Sequence, residues 1–125
     1  MFSNPRSVNL WLNDMLTSAQ EVTQFTKGMT FASFIGCPKT IKAVLFNLQV
    51  IGEAANKLPD DVKQLAPTVP WQQLRGLRNR VAHEYFDINL EMIWTVTQRH
   101  IPVLTEALHA LLQQLDTETL GDDTP

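Results

Sequence analysis

The chain has 125 residues, 44% of them hydrophobic, which supplies one compact core and excludes the composition of a disordered protein. Its net charge of −3 counts against a general nucleic-acid binder, while a charged fraction of only 18% hints at a second buried surface and hence at oligomerisation. Cys37 is the only cysteine, so an internal disulfide is excluded and a cytoplasmic setting is the natural expectation. No apolar run follows Met1 to Arg6 as in a secretory signal, and none approaches the roughly 18–20 residues that span a bilayer.

Taken in order, the apolar residues repeat at helical steps. Val8, Leu12, Met15, Ala19 and Val22 make a first stripe, with Gly28 as its stop. An irregular stretch is expected through Phe31, Phe34, Gly36 and Pro38. Ile41, Val44, Leu45, Leu48, Ile51 and Ala55 form the second stripe, ending near Leu58 and Pro59. Asp60 is placed to cap a short helix over 62–66, and Pro67 and Pro70 punctuate a linker. Trp71, Leu74, Leu77, Val81 and Ala82 mark the next helix. Asp87 or Asn89 can cap the last one, whose stripe runs Ile93, Val96, Ile101, Leu104, Leu108, Leu111 and Leu115, with a kink expected at Pro102.

No segment alternates with period two. The expected fold is therefore all-α, an up-and-down bundle of four main helices plus a short one. Residues 1–115 are read as the domain and 116–125 as a polar acidic tail without fixed structure. Trp11 and Trp94 are assigned to the core.

The informative segment is Arg78-Asn79-Arg80-Val81-Ala82-His83-Glu84-Tyr85. Arginine grips a phosphate with a planar fork of donors, and a histidine moves protons near neutral pH. Together they suffice for metal-free RNA cleavage, in which the substrate's own 2′-hydroxyl is the nucleophile. The region is locally basic: no acidic residue stands between Asp61 and Glu84, whereas Lys63, Arg75, Arg78 and Arg80 do.

At 100° per residue, Arg78 and Tyr85 share one line of the helix, and Asn79 and His83 share a neighbouring one. Arg78 and His83 are about 140° apart, so one straight helix does not aim both at one phosphate. A long arginine reaching round, a local break near Glu84 or a second copy of the chain could bring them together; the last is favoured. His83 would then act as general base on the 2′-hydroxyl or general acid on the 5′-oxygen. Arg78 would stabilise the charge on the phosphate. Asn79 could fix the imidazole tautomer or hold a phosphate oxygen, and Tyr85 could donate to the phosphate or stack on a base.

The remaining residues offer little chemistry. His100 and His109 stand nine apart without a zinc-site pattern. No glycine loop cradles phosphate, and Cys37, flanked by Gly36 and Pro38 with only Lys39 as a local cation, is not expected to be a nucleophile.

These residues resemble a known family. Arg78, His83 and Tyr85 satisfy an Arg-x4-His-x-Tyr signature with the polar Asn79 after the arginine. Ile51-Gly52-Glu53-Ala54-Ala55, Val69-Pro70-Trp71, Gly76-Leu77 and Ile93-Trp94 match around it. Over residues 7–115 the chain resembles the HepT-like toxins of the HEPN superfamily, partners of MntA-like minimal nucleotidyltransferases.

The resemblance implies a homodimeric bundle with Arg78 and His83 in a composite cleft, acting as a metal-independent endoribonuclease on RNA. It implies a type VII-like toxin–antitoxin pair in which the antitoxin transfers AMP to Tyr85, using ATP and magnesium bound by the partner. No cofactor or metal is implied for this chain. Glu53 is a supporting residue, expected to pair with Arg75 or Arg78 and orient the latter. Two competing readings are a non-catalytic nucleotide- or substrate-binding subunit of a nucleotidyltransferase complex, and a bundle in which the motif only packs a dimer.

Overall fold

In the computed structural model the backbone is described for residues 5–122 and side chains for 7–116. Every described element is helical: α1 (Pro5–Thr26), α2 (Phe31–Ile35), α3 (Pro38–Lys57), α4 (Asp60–Lys63), α5 (Trp71–Glu84), α6 (Leu90–Thr95), a π-helical turn (Val96–His100) and α7 (Ile101–Asp122). The long helices α1, α3, α5 and α7 form the expected bundle. Helix α1 packs against both α3 and α7, and α5 lies on the other side of α3. All five members of the first stripe are buried, as are Val44, Leu45, Leu48, Ile51 and Ala55 of the second. No described helix is long and apolar enough to cross a membrane.

Three local expectations are corrected. Residues 31–35 are helical rather than irregular, because Thr30 and Ser33 close a reciprocal cap: Ser33 N–H donates to Thr30 Oγ1 at 3.1 Å and Thr30 N–H to Ser33 Oγ at 2.9 Å. Asp60 is not a cap but the first residue of α4, with Pro59 before it and Lys63 as the helix end. The final helical stretch is continuous, and its distortion lies before Pro102 rather than at it. It is α6, a π turn and α7, and Ile101 N–H donates to Val96 O, five residues back. Pro102 has no N–H to donate, and its ring crowds the carbonyl four residues earlier. The wider turn just before it relieves that crowding.

Other expectations hold. Asn89, not Asp87, caps α6, accepting from Met92 N–H at 3.0 Å. Gly28, two residues past the end of α1, has a φ of 77°, the left-handed conformation that suits glycine after a helix. Trp94 sits with Phe31 and Phe34, ring centroids 6.4 and 5.1 Å away. One more is corrected: helix α7 continues past Leu115 to Asp122, so residues 116–122, expected to lack fixed structure, have a helical backbone. Residues 123–125 of the polar tail lie outside the described residues.

Candidate functional site

Helix α5 carries the motif, and three features fix where it lies. Leu74, Leu77 and Val81 bury one face of it in the core. At its start, the Trp71 indole N–H donates to the carbonyls of Lys63 and Ala66, at 3.1 and 3.0 Å, tying the helix to the loop after α4. Midway, α3 and α5 touch backbone to backbone at Gly52. A Cβ there would stand 2.8 Å from Leu74 O and 3.0 Å from both the Cβ and the N of Arg78. Only glycine permits that approach, and it sets the distance from α3 to Arg78.

Gly52→Ala is therefore expected to push α5 off α3 and lower stability by about 1–3 kcal/mol. Gly76→Ala, where a Cβ would meet nothing within 4 Å, is the control and should raise stability by up to about 1 kcal/mol. Thermal unfolding of the two variants checks both signs.

The close approach brings Arg78 to Glu53, the next residue of α3. Arg78 Nε lies 2.5 Å from Glu53 Oε2, and Lys57 Nζ is 3.9 Å from the other carboxylate oxygen. The sequence left Arg75 or Arg78 as the partner of Glu53; it is Arg78, and Arg75 Nε instead donates to Asn56 Oδ1 at 3.0 Å. A carboxylate at Nε occupies one edge of the guanidinium fork, which has five N–H donors in all. Donors remain for a phosphate, on a side chain 52% exposed.

Two clefts meet at Arg78. One, of about 270 Å³, lies between α1 and α3 and is lined by Trp11, Asp14, Phe46, Val50 and Glu53 among others. The second, about 280 Å³, is polar: Asn56, Gln72, Arg75, Gly76, Arg78 and Asn79. Arg75 also stands close enough to Lys63 that, after burial, its charge pushes the Lys63 ammonium below its usual pKa, against the pull of Asp60. Positive charge is therefore concentrated along this side of α5.

His83 is exposed on the last turn of α5, and no described side chain bonds to its ring. Asn79, one turn before it, is not hydrogen-bonded to it. The helix is regular through Glu84, and even its C-cap, Tyr85, has helical angles of −49° and −47°. The turn begins at Tyr85, beyond the histidine, so a break that would redirect His83 is not what this chain has. Tyr85 is half-buried, edge-on to Phe86 at 5.3 Å, in a shallow cleft with Pro38, Ile41, Lys42 and Leu45. Within one chain the structure joins Arg78 to Glu53 and places Asn79 beside Arg78, but it does not bring His83 to Arg78.

Sequence reasoning missed two neighbours of the site. Phe46 is 66% exposed and Trp11, assigned to the core, is only half-buried; both line the cleft at Arg78. Phe46 falls outside the apolar stripe of α3, and a large apolar residue off its stripe was the available signal. Cys37 is the N-cap of α3, its thiol held below the usual value chiefly by the Thr40 hydroxyl at 3.1 Å. Among the described residues, no group of three or more His, Cys, Asp or Glu could hold a metal.

The family of this chain follows from comparison with known proteins. A family model described as "Ribonuclease HepT-like" matches residues 15–111, which include the whole motif. The chain belongs to the HepT-like ribonuclease family. A protein of Methanocaldococcus jannaschii named "Putative RNase" is 35% identical over 113 residues, 90% of this chain and 93% of that one. Thermococcus cleftensis has a "Probable ribonuclease HepT" that is 32% identical over 99 residues, 79% of this chain and 90% of that protein. No solved structure matches the chain. Of the signature residues, Arg78 and Asn79 line the clefts along α5, and Tyr85 lines a separate cleft against α3.

Proposed function

We propose that this chain is the toxin of a toxin–antitoxin pair, a metal-independent endoribonuclease that works as a homodimer and is silenced by AMP transfer to Tyr85. The observation that carries the reading is Arg78 itself: an exposed guanidinium, oriented by Glu53, in a basic polar cleft of a HepT-like ribonuclease.

The helix geometry supports a composite site. Arg78 and His83 diverge by about 140° on a helix that is regular between them. Reaching round is opposed by Glu53, which holds the guanidinium toward α3. The remaining route is a second copy, which brings its His83 to this chain's Arg78. Exposed Phe46, 66% accessible, together with Trp11 and Val50, offers apolar surface beside Arg78 on which that copy can seat.

In the composite cleft Arg78 holds the scissile phosphate and stabilises the charge that builds on it. The 2′-oxygen bonds to phosphorus as the bond from phosphorus to the 5′-oxygen breaks. Imidazole takes the 2′-hydroxyl proton as general base or protonates the departing 5′-oxygen as general acid. The products carry a 2′,3′-cyclic phosphate and a 5′-hydroxyl. Tyr85 is seven residues, two turns, beyond Arg78 on the same line of the helix. An adenylate there adds a negative phosphate and bulk that compete with RNA for Arg78.

A second reading, a non-catalytic nucleotide-holding subunit of a nucleotidyltransferase complex, draws on the Glu53 ion pair, which partly neutralises Arg78, and on the net charge of −3.

One experiment tests both halves of the proposal. The purified chain is given RNA in excess chelator, before and after treatment with a MntA-like nucleotidyltransferase, ATP and magnesium. Cleavage to cyclic-phosphate ends is expected beforehand. Afterwards, loss of cleavage with added AMP mass is expected, and Tyr85→Phe should take up no mass. RNA left intact by the untreated chain overturns the ribonuclease, and unchanged mass with an active partner overturns the modification.

A further inference from the structure

A further cleft along α5 lies on the side away from Arg78. It is a groove of about 470 Å³ between α5 and the stretch formed by α6 and the π turn. Leu74 and Leu77 of α5, Met92 of α6 and Val96 of the π turn make an apolar floor. Arg80 and His100 stand at its edge, and no acidic residue lines it. Arg80 is more than half exposed, and its only described ion pair, with Glu84 at 3.6 Å, is a helix-surface interaction of the weak kind. Its guanidinium is free to turn toward a ligand.

This groove is continuous with the site already described. Gly76 lines both it and the polar cleft of Arg75, Arg78 and Asn79. A glycine in mid-helix is unfavourable by about 1 kcal/mol relative to alanine, and a Cβ at Gly76 would meet nothing. Packing within the chain therefore does not require it. Its effect is to leave a low saddle across α5, with Arg75 and Arg78 on one side and Arg80 and His100 on the other.

The groove's chemistry is that of a nucleotide. A flat aromatic base suits an apolar floor with an adaptable methionine in it. Two cationic or donor side chains at the edge suit a phosphate. The π turn presents Val96 and His100 to the groove from the same short segment, and such turns recur at functional sites.

We propose that the groove is a base-binding subsite on the path of a single-stranded RNA. The strand lies along Arg78 and Arg75, crosses α5 at Gly76, and sets a neighbouring base over Leu74, Leu77, Met92 and Val96. Arg80 and His100 hold its phosphate. The inference rests on the ribonuclease reading for the class of ligand, though not for cleavage.

The test is fluorescence anisotropy with labelled single-stranded RNA whose riboses are 2′-O-methylated, so that it cannot be cut. Two variants are compared with wild type. Val96→Trp fills the groove, and the double variant Arg80→Ala/His100→Ala strips its edge at exposed positions that leave the core alone. Both should bind about tenfold more weakly or worse. The double variant should also show a shallower fall of log affinity with log salt, by roughly 0.7 for each phosphate it no longer neutralises.

Binding within twofold of wild type, in the double variant or in folded Val96→Trp, overturns the subsite; if Val96→Trp does not fold, the double variant decides alone. Variants that keep RNA but lose the nucleotidyltransferase would make the groove a protein-docking surface and likewise overturn it. Unmethylated RNA is read in parallel. A wild-type chain that binds through the groove yet leaves that RNA intact refutes the ribonuclease and keeps the subsite. One that cleaves with groove-independent affinity does the reverse.

Discussion

Replacing His83 by alanine is expected to slow RNA cleavage by roughly 10²–10⁴-fold, the usual contribution of a positioned general acid or base. The fold should not change. His83 is exposed on the last turn of α5 and no described side chain bonds to its ring, so the substitution falls among surface changes of about ±0.5 kcal/mol. That separation makes the result interpretable: a lost rate with an unchanged melting curve assigns the effect to chemistry. Arg78→Ala is less clean, because it also leaves Glu53 without its guanidinium partner. Arg78→Lys keeps the charge but loses the planar fork, and so tests whether bidentate phosphate binding matters. Cleavage rates and thermal midpoints measured on the same preparations check the expectation; a His83→Ala chain as fast as wild type removes the imidazole from the mechanism.

How far the sequence foretold this arrangement depended on whether a feature is local. The stripes of α1 and α3 were legible because helical spacing alone puts Leu12, Met15, Val44 and Leu48 on buried faces. Asn89 was legible as a cap because its chemistry acts three residues away. Helix α2 was not, since Ser33 stands where a capping box usually has Glu or Gln, and a five-residue helix has too few positions for a stripe. The π turn was foreshadowed only as a kink: Pro102 announces a distortion, but which carbonyl is bypassed depends on how Ile93, Thr97 and Ile101 are buried on either side. The partner of Glu53 was undecidable from spacing, because it depends on how closely two helices approach, and that is set by Gly52 against the Leu74 carbonyl. Trp11 illustrates the same limit. It belongs to the stripe-bearing helix and packs on the core, yet its exposed part lines the Arg78 cleft.

A mixture of two inactive variants should recover activity that neither has alone. If each cleft takes Arg78 from one chain and His83 from the other, a dimer of Arg78→Ala with His83→Ala contains one doubly defective cleft and one intact cleft. After equimolar mixing and subunit exchange, about half the dimers are mixed and each has one working cleft of two, so about a quarter of wild-type cleavage should return. A site built within one chain gives no recovery, since every copy then carries one lesion. The structure favours recovery on two counts: α5 is regular between the two residues, and Glu53 holds Arg78 toward α3. Phe46→Glu supplies the independent arm. Phe46 is 66% exposed beside the cleft, and a charge on an apolar dimer face opposes association. If the second copy seats there, that variant should run as a monomer by light scattering and cleave no RNA, although its His83 and Arg78 are untouched. A fully active monomer would show instead that one chain assembles the whole site, with the arginine released from Glu53 to meet its own histidine.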